Sequence, residues 1–247
     1  MATHGIDVSK HQGKIDWQAV RETGSVNFAI LRAGFGRYAN QKDPQFERNY
    51  AGAKAAGIPV GAYWYSYAQT TEEAREEAKA CLQVLQGKQF EFPIYFDIED
   101  STQAHLSKFT LTAICEVFCN TLEKAGYCAG VYASTSWFLN RLDHARLSGR
   151  YTIWLADYRG RYNTTLARNM HQYTSKGRVH GIRGNVDLNV CTTDFPIIIK
   201  NAGLNGYSKA DAPDSPGLKT FTAQASTGDL EQLEKLAKSL KLSYNIE

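Results

Sequence analysis

One motif, used twice, limits what this chain can fold into. Ala56-Gly57-Ile58-Pro59-Val60-Gly61-Ala62-Tyr63 and Ala125-Gly126-Tyr127-Cys128-Ala129-Gly130-Val131-Tyr132 share the skeleton A-G-x-x-x-G-x-Y. The first glycine of each copy can close a helix in the left-handed conformation. A strand starts within a few residues, and the second glycine leaves room for close packing. Each copy is therefore a helix-to-strand junction, and the rest of the chain repeats the alternation. Patterning predicts strands over Gly5–Val8, Asn27–Arg32, Pro59–Tyr65, Pro93–Ile98, Cys128–Tyr132, Tyr151–Ala156, Met170–Thr174 and Val186–Val190. Helices are predicted over Trp17–Glu22 and Gln45–Ala56, from a capping box at Thr70 and Glu73 as far as Gly87, and over Leu111–Lys124. Beyond Ala156 the helical signals fade.

Repeated βα units build a mostly parallel sheet. Eight strands in about 195 residues favour a closed α/β barrel of the TIM type. An open doubly wound sheet would carry G-x-G-x-x-G after its first strand. Here that position reads Ser9-Lys10-His11-Gln12-Gly13, and Gly34-Phe35-Gly36 lacks the third glycine. The barrel is assigned residues 1–199. Residues 200–217 read as a linker, with three glycines, two prolines and cancelling charges. Residues 218–247 read as a small β-α-β tail, with Leu230, Leu233, Leu236 and Leu240 on one helix face. A piece this short cannot bury both faces of a sheet. The tail is expected to dock on the barrel or mediate homo-oligomers.

Composition removes several classes. The 28 Lys+Arg against 25 Asp+Glu leave a net charge of +3, too small a basic excess for a dedicated nucleic-acid binder. No apolar run reaches membrane-spanning length, so no membrane partner is expected, and the first residues lack a signal-peptide pattern. The five cysteines, Cys81, Cys115, Cys119, Cys128 and Cys191, show no C-x-x-C spacing, and the six histidines form no metal motif. Neither a metal nor a cofactor is expected. No G-x-S-x-G elbow supports serine chemistry.

The chemistry concentrates in Pro93-Ile94-Tyr95-Phe96-Asp97-Ile98-Glu99-Asp100. Alternate residues of a strand share a face. Ile94, Phe96 and Ile98 should meet outer helices, while Tyr95, Asp97 and Glu99 point inward. Two carboxylates then project from the C-terminal end of a strand, where barrel active sites sit. Held this close, one should have its pKa raised, giving an acid beside a base or stabiliser, as glycoside hydrolysis requires. Asp7 ends the first strand and Asp187 lies in the last, so four acidic side chains could converge on one mouth. Clustered carboxylates could equally hold a metal, but the scattered histidines favour a metal-free hydrolase.

The 14 Tyr and 4 Trp acquire a place in this arrangement. Tyr63, Tyr65 and Tyr67 share the inward face of one strand, and Tyr132, Trp154, Tyr158 and Tyr173 fall at or just past strand ends. Such rings stack on sugar faces while their polar tips bond hydroxyls. Ordinary barrel filling is the competing role, above all for Tyr63 and Trp154. Arg32, Arg37 and Arg159 could meet an anionic substrate or be plain loop charges.

Taken together, these segments resemble the glycoside hydrolase family 25 lysozymes, the N,O-diacetylmuramidases of bacteria and phages. Gly5-Ile6-Asp7-Val8-Ser9-Lys10-His11-Gln12-Gly13 is similar to that family's opening signature. Asn27–Gly34, Ala53–Tyr65, Phe96–Glu99, Trp154–Tyr158, Gln172–Ser175 and Val186–Asn189 continue the series in order over residues 4–195. His171 departs from the pattern, which commonly has Trp there. The resemblance implies a flattened (β/α)5(β)3 barrel and cleavage of the β-1,4 bond between N-acetylmuramic acid and N-acetylglucosamine in peptidoglycan. It makes Glu99 the general acid and Asp97 the group that stabilises the sugar cation or orients the substrate's acetamido group. Asp7 and Asp187 hold the polar network, and Gln172 joins the aromatic residues as a substrate contact. It further implies a phage or prophage endolysin, made in the cytoplasm and released at host lysis, with cell-wall binding a third role open to the tail at 218–247. The alternatives are a glycosidase on another N-acetylated polymer such as chitin, whose barrel enzymes carry D-x-x-D-x-D-x-E, and a non-catalytic glycan-binding barrel.

Overall fold

The computed structural model describes residues 2–159 and 166–211. Its strands are β1 (Thr3–Val8), β2 (Phe28–Phe35), β3 (Val60–Tyr65), β4 (Ile94–Asp97), β5 (Ala129–Ser134), β6 (Thr152–Ala156), β7 (Met170–Gly177) and β8 (Val186–Cys191). They close into a barrel in chain order. Neighbours from β1 to β7 run parallel, and β8 is antiparallel to both β7 and β1. Helices α1 (Trp17–Glu22), α2 (Phe46–Ala55), α3 (Thr71–Leu85) and α4 (Lys108–Lys124) follow the first four strands, and α5 (Thr135–Asn140) and α6 (His144–Ser148) follow β5. Among the described residues no helix separates β6, β7 and β8. This is the expected five βα units followed by three bare strands. The predicted tail at 218–247 lies outside the described residues.

The repeated motif acts as its chemistry requires. Gly57 and Gly126 end their helices at φ of 68° and 85°. A Cβ on Gly61 would stand 2.7 Å from Phe92 Cβ, and one on Gly130 2.2 Å from Thr152 Oγ1, so only glycine fits. Thr70 accepts from the Glu73 amide as predicted, but the Glu73 carboxylate turns to the Gln69 amide, so the reciprocal half of the box is displaced by one residue.

Because helices cover the barrel outside and side chains fill it inside, both strand faces are buried. Ile94, Phe96 and Ile98 pack outward with Leu111, Ile114 and Phe118 of α4. Phe28, Ile30, Tyr95, Tyr132, Trp154 and Met170 fill the interior. All five cysteines are free, and Cys115 and Cys119 are buried on α4 as small core residues.

The expected linker is shorter at its start than the glycines suggest. A further helix, α7 (Phe195–Ala202), takes in Lys200, and its Phe195 and Ile199 plug the barrel floor. The Asn205 side chain then bonds Cys128 N (2.7 Å), Phe90 O (3.1 Å) and Phe92 O (2.8 Å). Residues 200–211 are therefore part of the barrel's closure. Their glycines are turn positions, with Gly203 capping α7 in the left-handed region.

Candidate active site

The open end of the barrel gathers the four acidic residues singled out in the sequence. The strand register sets Asp7 directly opposite Asp187 across β1 and β8. Asp97 ends β4, and Glu99 follows two residues on. Asp7 and Asp97 are buried, while Glu99 and Asp187 are half-buried. Asp7 Oδ2 accepts from Gln172 Nε2 and Asn189 Nδ2, both at 2.8 Å. Asp97 Oδ1 is buried without a hydrogen-bond partner.

Electrostatics differ from the expectation that one pKa of the pair would rise. Burial dominates at each carboxyl, so all four are pushed up. Asp7 is raised to about 8 by burial and the Asp187 charge, against its two amide donors. Asp97 is pushed well up by burial and then by Glu99 and Asp7, with the Arg32 guanidinium opposing. Glu99 is raised by burial and by the Asp187 and Asp100 charges. Burial raises Asp187 as well. The mouth thus holds protons above the usual carboxylate range, and Asp97 is the member that feels a cation.

The aromatic and amide residues separate into two groups. Tyr158 (51% exposed) and Tyr173 (37% exposed) stand open to solvent, and Tyr63 and Tyr65 are half-buried. Trp154 (1% exposed) is buried, and Tyr132 (7% exposed) is nearly so and lies opposite Asp97 in the strand register. They lie in the interior stack with ring centroids 4.4 Å apart. Gln172, expected as a substrate contact, is buried and braces the site. Its Oε1 accepts from Tyr132 OH (2.8 Å) and Tyr158 OH (2.5 Å) while its amide holds Asp7. His171 is also buried, with Nε2 3.1 Å from the Asp157 carbonyl oxygen. The three arginines are paired: Arg32 with Asp43 (2.6 Å), Arg37 with Glu73 (3.2 Å) and Arg159 with Asp157 (2.6 Å).

Two residues were missed. Asn189 links the interior to the acids, accepting from Trp154 Nε1 at 2.8 Å while donating to Asp7. Its spacing of two from Asp187 on β8 was the available signal. Asp100 accepts from Tyr65 OH at 2.9 Å and caps the turn after β4 through Thr102. Among the described residues, no group of three or more His, Cys, Asp or Glu forms that could hold a metal ion.

Known proteins resemble this chain in sequence and fold. The profile of the glycosyl hydrolases family 25 matches residues 6–182. The uncharacterized protein YegX of Escherichia coli K12 is 32% identical over 197 residues, covering 76% of this chain and 68% of YegX. The autolytic lysozyme of Clostridium acetobutylicum is 26% identical over 74% of this chain and 54% of its own length. Among solved structures, the modular autolysin LytC of Streptococcus pneumoniae, in complex with a synthetic peptidoglycan ligand, superposes with a TM-score of 0.68 at 28% identity. That match covers 76% of this chain and 46% of LytC, so the chain spans about half the length of these two lytic enzymes. With the profile running from β1 to the β7–β8 connection and so taking in Asp7, Asp97 and Glu99, this chain belongs to the glycosyl hydrolases family 25.

Proposed function

We propose that the protein is a lysozyme of the muramidase type, cleaving the β-1,4 bond between N-acetylmuramic acid and N-acetylglucosamine in bacterial peptidoglycan. The observation that carries this reading is Glu99 at the barrel mouth, half-buried, beside like charges that favour its protonated form. A carboxyl that keeps its proton can donate it to a leaving oxygen.

Glu99 protonates the glycosidic oxygen as the bond to the muramyl C1 breaks. Asp97 faces the positive charge that develops on the sugar, either directly or by orienting the acetamido group. The Arg32 guanidinium opposes the upward push on the Asp97 carboxyl, and the developing sugar cation opposes it further. Water supplies the hydroxyl to C1, and its remaining proton returns to Glu99. Asp7 and Asp187, with Gln172 and Asn189, hold the acids in place. Tyr63, Tyr65, Tyr158 and Tyr173 offer ring faces to the glycan. The cell wall is the site of action.

The test is clearing of purified cell walls, followed by identification of the new reducing ends. Glu99→Gln should lower the rate about a thousandfold, and the ends released by the parent should be muramic acid. Equal clearing by parent and variant would remove Glu99 as the acid. Reducing ends on glucosamine would make the enzyme a glucosaminidase.

A further inference from the structure

A groove of about 1000 Å³ runs along the outside of the barrel, and none of the four acids lines it. Its walls come from three elements: His11 and Lys14 from the loop after β1, Arg48 from α2 and Arg183 from the β7–β8 hairpin. Ile15 and Trp17 give it an apolar floor. None of the four basic side chains is in an ion pair among the described residues. The groove's own carboxylate, Asp16, is engaged in capping α1, accepting from Ala19 N at 3.1 Å. The Trp17 indole Nε1 is buried without a partner, and a Cβ on Gly52 would stand 2.3 Å from Trp17 Cδ1, so the glycine lets the indole edge pack against α2.

Lys14, Arg48 and Arg183 outnumber the single Asp16 carboxylate in the groove, and an anionic ligand offsets the excess. An apolar floor between cationic walls fits a short acidic peptide, whose methyl groups and carboxylates match both surfaces, better than a phosphate polymer. The groove also starts beside the acids. Gln12 Nε2 donates to Asn185 O at 3.3 Å and Asp16 N to Gly181 O at 2.9 Å, tying the loop to the hairpin. His11 is four residues from Asp7, and Arg183 four from Asp187, a reach of at most about 14 Å along either path. A peptide hanging from a sugar bound at the mouth spans that distance in four or five residues.

Resting on the muramidase reading above, we propose that this groove binds the acidic stem peptide carried by the muramyl sugar. The enzyme would then read peptide as well as glycan. The experiment compares the full chain with its Arg48→Gln/Arg183→Gln variant on walls freed of phosphate polymers, and on the same walls after an amidase has stripped the peptides. The variant should lose about tenfold in kcat/KM on peptide-bearing walls and keep its rate on stripped glycan. The loss should shrink as salt is raised. Equal loss on both substrates, or loss on neither, overturns the proposal. So does a loss seen only on walls that retain phosphate polymers, which would make such a polymer the occupant. If the parent releases no reducing ends from either substrate, the muramidase reading has failed instead. A titration of a soluble alanyl-glutamyl tetrapeptide, followed by NMR, then tests the groove alone. Shifts at the groove in the parent that vanish in the variant support it, and their absence in the parent overturns it.

Discussion

Two buried or half-buried glutamates mark the two ends of the barrel, and the protein treats them oppositely. Glu91, at the floor, receives hydrogen bonds from Lys54 Nζ, Tyr207 OH and Val60 N, and its carboxyl is held below the usual range despite its burial. Glu99, at the mouth, faces Asp187 and Asp100, and its carboxyl is pushed up. Both pay a desolvation cost, but only the floor compensates it with a cation and donors. The floor is where residues 195–207 close the interior, with Phe195 packing on Phe92 at a centroid distance of 5.8 Å and Asn205 donating to two buried backbone carbonyls. At the mouth the carboxylates are left short of partners. That difference separates a carboxylate that stabilises a fold from one poised to exchange a proton.

The comparison can be broken by exchanging the losses. Where Glu99→Gln should abolish most activity and leave the fold intact, Glu91→Gln should do the reverse. Removing the negative partner of Lys54 and Tyr207 should cost about 2–4 kcal/mol of stability with turnover per folded molecule unchanged. Denaturant unfolding beside the wall assay separates the two. An inactive but fully stable Glu91→Gln protein would end the distinction between floor and mouth.

A smaller effect tests the mouth's electrostatics. Asp7 has a folded pKa of about 8, above its unfolded value. Its contribution to stability is therefore fully present below about pH 4 and lost as pH rises through about 8. Asp7→Asn keeps an oxygen for Gln172 and Asn189 to donate to, and abolishes that loss. The variant should match the parent at pH 4 and exceed it at pH 9. A constant difference across that range would show that Asp7 does not titrate within it.

The smallest shift is in the activity profile. Catalysis needs Glu99 protonated, so the rate should fall as pH rises through its raised pKa. Asp100→Asn removes one of the charges that raise it, and the alkaline limb should move down by about half a pH unit. A limb that stays in place would assign it to another group.

Much of the site was legible because a strand has a period of two. That period separates Ile94, Phe96 and Ile98 from Tyr95, Asp97 and Glu99, and the structure keeps the separation. It says nothing of depth. Trp154 and Tyr173 look alike as inward or strand-end aromatics, yet one is buried at the centre of the ring stack and the other is open to solvent. Depth depends on how neighbouring strands stagger around a closed barrel, and stagger is a property of the whole sheet. Gln172 enters the site through the family resemblance alone, and only the convergence of β5, β7 and β1 makes it a brace for Asp7. The floor was misread through its glycines, since a Gly- and Asn-rich run has the same composition whether it links domains or turns tightly against a packed surface.

By itself the sequence determined the repeated helix-to-strand unit, the closed order of eight strands and the set of acidic residues at their ends. All of these follow from local rules of periodicity and turn chemistry. Only the tertiary structure decided which carboxyls share protons, which aromatics are open to a ligand and which end of the barrel is sealed. Those are matters of desolvation and of contacts between residues as far apart in the chain as Asp7 and Asn189, and burial energies do not exist until the barrel closes.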